Sequence, residues 1–200
     1  MLRLAVFASG RGSNLEAIYN SIESGSLRNI ELALVVSNNS NSGALEFAKR
    51  KNINGIHLSV LKCNNDLHEF ERRLLEALNN TRIDLIALAG YMKKLPGAVL
   101  EKYRGRIVNV HPALLPEFGG SGMYGLNVHR AVLEAGRNIS GASVHLVEGE
   151  YDSGKIILQE SCPVEPGDTP EILAERITKI EHRILPQAIG IIAESILHTK

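Results

Sequence analysis

Two segments of this chain hold side chains whose types and spacing can do acyl chemistry. The first is Asn109-Val110-His111-Pro112. Residues two apart on a strand project to the same side, so Asn109 and His111 share a face. An amide donor beside an imidazole can hold a developing oxyanion and move a proton. Apolar Ile107-Val108 leads into the segment and Pro112 stops it, which puts both polar side chains at the carboxyl end of a strand. Open α/β sheets bind ligands at that edge. The same residues also suit a capped strand end with a satisfied core histidine. The second segment is Glu150-Tyr151-Asp152-Ser153-Gly154. Asp152 before Ser-Gly is a good turn former. Brought beside His111, its carboxylate would favour the imidazolium form.

A third segment offers anion binding. Ser9-Gly10-Arg11-Gly12-Ser13-Asn14 falls between an apolar run and a helical period. Glycines let the backbone approach a ligand, and a helix N-terminus presents N–H groups at the positive end of its dipole. Ser13 and Asn14 add side-chain donors and can cap the helix. That set suits a phosphate monoester. It also suits a plain strand-to-helix turn with a serine cap. A dinucleotide fingerprint would need a third glycine where Leu15 stands, and an acid where the second strand ends in Ser37-Asn38-Asn39. A P-loop would need Gly-Lys-Ser/Thr, which the chain lacks here.

The elements that must carry these segments alternate. Apolar runs at Leu2–Ala8, Ile30–Val36, Ile56–Leu58, Ile83–Ala89 and Ile107–Val110 predict buried strands. Helical periods at Asn14–Ser24, Gly43–Lys51, Asp66–Leu78, Pro96–Tyr103 and Asn127–Ala135 separate or follow them. This is the pattern of βαβ units and an open, mostly parallel twisted sheet with helices on both faces. Gly141–Val147 and Ile156–Gln159 flank a turn at 148–154, and an antiparallel pair there would make the sheet mixed. A final helix begins near Pro170. Asp168 with Glu171 has capping-box spacing, Thr169-Pro170 fits a cap and first turn, and Pro186 should kink or split the helix. With no repeat or linker, one α/β domain is expected over residues 1–200.

Composition narrows the class. The 200 residues are 44% hydrophobic and 22% charged, with a formal net charge of +0. No whole-molecule field draws in nucleic acid or a membrane, so an anion needs a local site. The 2 cysteines, Cys63 and Cys162, form no CxxC pair and suggest neither zinc nor a disulfide framework. The apolar start is broken at once by Ser9-Gly10-Arg11-Gly12, unlike a signal peptide, and no run approaches membrane-helix length. The expectation is a cytoplasmic metabolic enzyme, monomer or homodimer, acting on small molecules.

Taken together, the motifs resemble the phosphoribosylglycinamide formyltransferases, a folate-dependent family of purine synthesis. The resemblance runs nearly end to end. It rests on residues 9–14, Leu88-Ala89-Gly90-Tyr91-Met92, Asn109 to Pro116, Gly141-Ala142-Ser143-Val144-His145, and Asp152 to Gln159. It implies a formyltransferase-type Rossmann-like fold. It implies formyl transfer from 10-formyltetrahydrofolate to the amine of glycinamide ribonucleotide through a tetrahedral intermediate, with no metal. Asn109 and His111 would polarise the formyl carbonyl, and Asp152 would tune His111 and organise a relay water. Gly10, Arg11, Gly12, Ser13 and Asn14 would take the phosphate, and Glu181 the ribose side. Met92, Lys93, Lys94, Leu95, Val147, Glu148 and Gly149 would form the folate pocket within the 92–95 and 147–152 loops.

Two features depart from that pattern. Leu67-His68-Glu69-Phe70 lacks the expected basic residue before the aromatic, and Lys93 or Lys94 is the candidate replacement. The stretch Phe118–Asn127 is long and glycine-rich, which suits either a mobile lid or an inert insertion. His129 and His145 are candidates for supporting positions or simple structural roles. Lys93, Lys94, Arg104 and Arg106 are candidates for the folate tail or for solvated surface. Among neighbouring activities, a methionyl-tRNA formyltransferase would need a further RNA-binding domain and a basic face. A formyltetrahydrofolate hydrolase would carry an extra domain before the first strand. A sugar-amine formyltransferase and a non-catalytic phosphate-binding module remain as the alternatives.

Overall fold

A computed structural model describes residues 1–149 and 151–199. Glu150, in the loop expected at the folate pocket, and Lys200 lie outside the described residues. The strands are β1 (Leu2–Phe7), β2 (Ile30–Ser37), β3 (Gly55–His57), β4 (Leu85–Leu88), β5 (Ile107–His111), β6 (Ile139–Leu146) and β7 (Ile156–Pro163). The helices are α1 (Ser13–Glu23), α2 (Gly43–Arg50), α3 (Leu67–Asn80), α4 (Gly97–Lys102), α5 (Leu126–Glu134) and α6 (Pro170–Thr199), with a 3-10 turn at Leu61–Cys63.

One sheet runs in the order β3-β2-β1-β4-β5-β6-β7. β3, β2, β1, β4 and β5 pair in parallel, while β6 and β7 join antiparallel. The sheet is therefore open and mixed, as expected. The chain winds outward from β1 to β3, then restarts at β4 on β1's other side. That reversal opens a crevice at the carboxyl ends of β1 and β4, where ligands bind in such sheets.

Alternation along β1 shows how both faces are covered. Leu4 and Val6 pack with Leu15 and Ile18 of α1 and Ile177 and Ile184 of α6. Ala5 and Phe7 turn the other way, onto Phe70, Leu74 and Leu78 of α3 and Val99 of α4. Burying each such Leu or Phe stabilises by about 1.5–3 kcal/mol, and truncating Leu74 to Ala would cost about 2–5 kcal/mol.

Three local expectations are corrected. α1 is capped by the backbone of Gly12 at φ 88, with no side-chain cap, so neither Ser13 nor Asn14 serves that purpose. A Cβ on Gly12 would also lie 3.0 Å from Ala44 Cα, so the turn needs glycine twice over. α6 is not split at Pro186. Ile184, Leu185, Ala188 and Ile189 around it are buried in the core. That packing outweighs the local proline penalty of about 3 kcal/mol. At the start of α6, Thr169 Oγ1 accepts from Ile172 N at 3.3 Å. Asp168 instead accepts from Arg176 Nη2 at 2.8 Å and from Glu165 N, also at 2.8 Å, so its capping-box spacing with Glu171 is incidental.

Candidate active site

Asn109 and His111 stand at the carboxyl end of β5 and Asp152 in the turn between β6 and β7. Asp152 has φ 54, a left-handed conformation that Asp and Asn tolerate better than most residues. Two residues later a Cβ on Gly154 would lie 1.8 Å from Leu146 O, so only glycine lets this turn close on β6. The segment after His111 is held from below. Ser143 Oγ donates to Ala113 O at 2.6 Å and accepts from Leu115 N at 3.0 Å. Gln159 Nε2 reaches Ser143 Oγ at 2.8 Å and Leu115 O at 3.0 Å.

The three residues expected to do chemistry converge, and His145 joins them. Asn109 Nδ2 lies 3.1 Å from His145 Nε2 and 3.4 Å from Asp152 Oδ1. His145 Nδ1 lies 2.7 Å from Leu146 O. A carbonyl only accepts, so Nδ1 carries a hydrogen, and Nε2 faces both the Asn109 amide and, at 3.4 Å, Asp152 Oδ1. His111 Nε2 donates to Phe118 O at 2.8 Å by the same reasoning. That leaves His111 Nδ1 facing Asp152 Oδ2 at 3.5 Å. A proton taken up at Nδ1 would form an ion pair with the carboxylate.

Charge states follow from burial. Burial pushes the His111 pKa down, and the Asp152 charge and the Phe118 bond only partly restore it. Burial pushes Asp152 up, but the imidazoles of His145 and His111 and the Gly120 N–H outweigh it, holding the carboxyl below its usual value. A neutral imidazole facing a carboxylate can accept a proton.

Two cavities meet at this cluster. The larger, of about 620 Å³, is lined by Gly10, Arg11, Gly12, Ser13 and Asn14 at one end, by Glu181 and Thr178 of α6, and by Asn109, His111 and Asp152. The smaller, of about 70 Å³, is lined by Leu88, Lys93, Lys94, Leu95, Val147 and Gly149. Tyr91, Asn109, Tyr151 and Asp152 line both.

Most expected site residues thus reach one cavity or the other; a few do not. Met92 lines the larger cavity rather than the smaller. Glu148 is exposed and lines neither. Arg104 pairs with Glu101 and Arg106 bonds Lys102 O at 2.7 Å, so neither joins the Lys93-Lys94 pair. Lys94 Nζ lies 5.9 Å from the centre of the Tyr151 ring. Asn14 donates to Glu181 Oε2 at 3.0 Å, and both are buried. Burial pushes Glu181 up to about 7. Tyr91, Met123, Tyr124 and Thr178 also line the larger cavity. Tyr91 belongs to the Leu88-Ala89-Gly90-Tyr91-Met92 motif, and Met123 and Tyr124 to the glycine-rich stretch. Thr178 gave no signal beyond its place three residues before Glu181.

A family model described as formyl transferase matches residues 2–189. The chain belongs to the formyl transferase family. A chloroplastic phosphoribosylglycinamide formyltransferase of Arabidopsis thaliana is 39% identical over 96% of this chain and 65% of its own length. The trifunctional purine biosynthetic protein adenosine-3 of Gallus gallus is 41% identical over 96% of this chain and 18% of its own. The formyl transferase chain described here therefore spans less than two thirds of either relative. Glycinamide ribonucleotide transformylase 1 from Symbiobacterium toebii superposes with a TM-score of 0.90 at 38% identity, covering 98% of this chain and 89% of that one. Glycinamide ribonucleotide transformylase 1 from Geobacillus kaustophilus gives a TM-score of 0.87 at 37% identity over 96% and 98%. The family and fold expected from the motifs are borne out.

Among the described residues no helix is long and apolar enough to cross a membrane. No group of three or more His, Cys, Asp and Glu side chains is arranged for a metal among them either. Cys63 and Cys162 are unpaired.

Proposed function

We propose that this chain is a phosphoribosylglycinamide formyltransferase, one catalytic domain over residues 1–200, cytoplasmic, moving the formyl group of 10-formyltetrahydrofolate to the amine of glycinamide ribonucleotide. The observation that carries the reading is the shared wall. Asn109 and Asp152 line both cavities, with a phosphate-type loop also lining the larger and apolar Leu88, Leu95 and Val147 lining the smaller. Two substrates entering from opposite sides would meet at these side chains. The similarity to enzymes carrying this name supports the choice of substrates.

In this reading, the backbone of residues 10–14 and the Ser13 and Asn14 side chains take the phosphate, with Arg11 at the rim. Glu181 takes the ribose side. Met92, Lys93, Lys94, Leu95, Val147, Glu148 and Gly149 line or edge the folate pocket, with apolar side chains against the flat ring. The amine nitrogen bonds to the formyl carbon and the carbonyl oxygen takes up charge. Asn109 turns onto that oxygen the hydrogen that now rests weakly on Asp152 Oδ1 at 3.4 Å. His111 can add its Nε2–H once Phe118 O lets it go. The amine proton passes to His111 Nδ1, directly or through a water that Asp152 orients, and Asp152 stabilises the imidazolium. Collapse of the oxyanion then breaks the bond to the donor nitrogen, which takes the proton held on His111 Nδ1 and returns the imidazole to its neutral form.

The test is direct. The purified chain is given 10-formyltetrahydrofolate with glycinamide ribonucleotide or with the dephosphorylated riboside, and formylated product is measured. Product from the ribonucleotide alone is expected. No product, or equal product from both acceptors, would overturn the reading.

A further inference from the structure

One hydroxyl ties together the two halves of this site. Ser9 follows β1, immediately before the phosphate-type loop. Its Oγ donates to Asn38 Oδ1 at 2.6 Å and accepts from Met92 N at 3.0 Å. Its own N–H donates to Gly90 O at 3.1 Å. Three loops at the carboxyl edge of the sheet, after β1, β2 and β4, are thereby joined through a single residue. Gly10 begins one cavity wall one residue later, while Gly90, Tyr91 and Met92 also line the larger cavity and Tyr91, with Lys93 just beyond, lines the folate-side cleft.

We infer that Ser9 is a positioning residue that holds the Gly90–Met92 segment in register with the phosphate loop, with Asn38 as its orienting partner. This rests on the formyltransferase reading above. The chemistry of the hydroxyl explains the choice of residue. Ser9 Oγ has one hydrogen, and Asn38 Oδ1 takes it. The oxygen's lone pairs are then turned to the Met92 N–H, which has no strand neighbour at this point of the loop. An alanine would hand that exposed N–H and the Asn38 oxygen over to water and remove the tether between the loops, while the sheet hydrogen bonds of β1 stay intact. The effect should therefore fall on the spacing of the two cavities and not on the fold. Reacting groups must meet within a few tenths of an ångström of the productive geometry, so such a tether bears on how the donor is held.

The experiment compares wild type with Ser9→Ala, Ser9→Thr and Asn38→Leu. It measures kcat, KM for each substrate, tetrahydrofolate affinity by calorimetry, and the melting temperature. Ser9→Ala and Asn38→Leu should raise donor KM and weaken tetrahydrofolate binding by roughly three- to tenfold, the worth of one neutral hydrogen bond. Ser9→Thr keeps the hydroxyl and should restore most of the loss. A Ser9→Ala enzyme with unchanged donor KM and tetrahydrofolate affinity overturns the inference. So does a Ser9→Thr enzyme no better than Ser9→Ala. If wild type forms no formylated ribonucleotide yet loses tetrahydrofolate binding on Ser9→Ala, the substrate assignment falls and the positioning role stands.

Discussion

The backbone N–H of Gly120 donates to Asp152 Oδ2 at 2.9 Å, which fastens the glycine-rich loop to a carboxylate of the reaction cluster. Phe118 O of the same loop accepts from His111 Nε2 at 2.8 Å. The loop is thus held by two of the side chains that the proposed chemistry uses. In the proposed reaction, displacing the loop would break both attachments and free His111 Nε2.

Removing a remote phosphate contact should show as binding. Ser13 lines the larger cavity at the start of α1 and makes no hydrogen bond to Asn109, His111 or Asp152 among the described residues. Such a contact is the same in ground and transition states. Ser13→Ala should raise KM for glycinamide ribonucleotide more than it lowers kcat. Steady-state kinetics on both constants decide it, and a fall in kcat alone would remove Ser13 from the phosphate site.

Asn109 and His111 should fail together. Loss of one oxyanion donor typically costs about 10²–10³ in kcat. Asn109→Ala and His111→Ala should each lose at least roughly that factor. The double variant should lose far less than the product, because both act on one transition state. A His111→Ala enzyme with near-normal turnover, measured in single-turnover formyl transfer, would show the cluster is misassigned.

Much of this arrangement could be read from the chain, and the remainder has physical causes. The parallel core strands are short apolar runs, so periodicity found β1, β2, β4 and β5 within a residue or two. β7 extends to Pro163, past the expected stop at Gln159, because an edge strand with one wet face tolerates Glu160 and Ser161. Asn109 and His111 were legible because two residues on one strand define a face. His145 could be named only as a supporting or structural candidate, because its contact with Asn109 spans 36 positions and depends on antiparallel register. Asn14 looked like a helix cap from its neighbours. Its partner is Glu181, 167 positions away, and no local pattern encodes that.

Glu181 should make the empty enzyme less stable as pH rises. Its folded pKa is raised from an ordinary 4.5 to about 7, chiefly by burial, against the Asn14 hydrogen bond. Between those values the folded state holds a proton that the unfolded state has lost. The stabilising contribution is full below 4.5 and disappears as pH climbs through about 7. Glu181→Gln removes this dependence, and Asn14 Oδ1, buried without a partner, can accept from the new amide. The variant should gain on wild type by up to roughly 3 kcal/mol on going from pH 4 to pH 8. Denaturant melts of both proteins across that range give the difference directly, with other titrating groups cancelling. Parallel curves would place Glu181 in a wetter setting than its burial indicates.

Asp152→Asn separates a turn residue from a chemical one. Asp152 occupies a φ of 54, which asparagine adopts as readily, so the turn should keep its shape. Asn Oδ1 can still accept from Gly120 N, so the loop should stay attached. What disappears is the charge facing His111 Nδ1 at 3.5 Å. That charge opposes the burial that lowers the His111 pKa, so without it the ring becomes harder still to protonate. A base that cannot hold the amine proton should slow transfer by roughly 10²–10⁴ in kcat, the usual range for general acid–base help. Affinity for either substrate should change much less, because the charge matters chiefly as the proton moves. The acid limb of the pH–rate profile, set by protonation of the imidazole, should shift to lower pH, with values that belong to the coupled pair rather than to one residue. Single-turnover rates across pH for both enzymes, together with their melting temperatures, test each part. Overlapping profiles would make Asp152 a turn former only and leave proton transfer to another group.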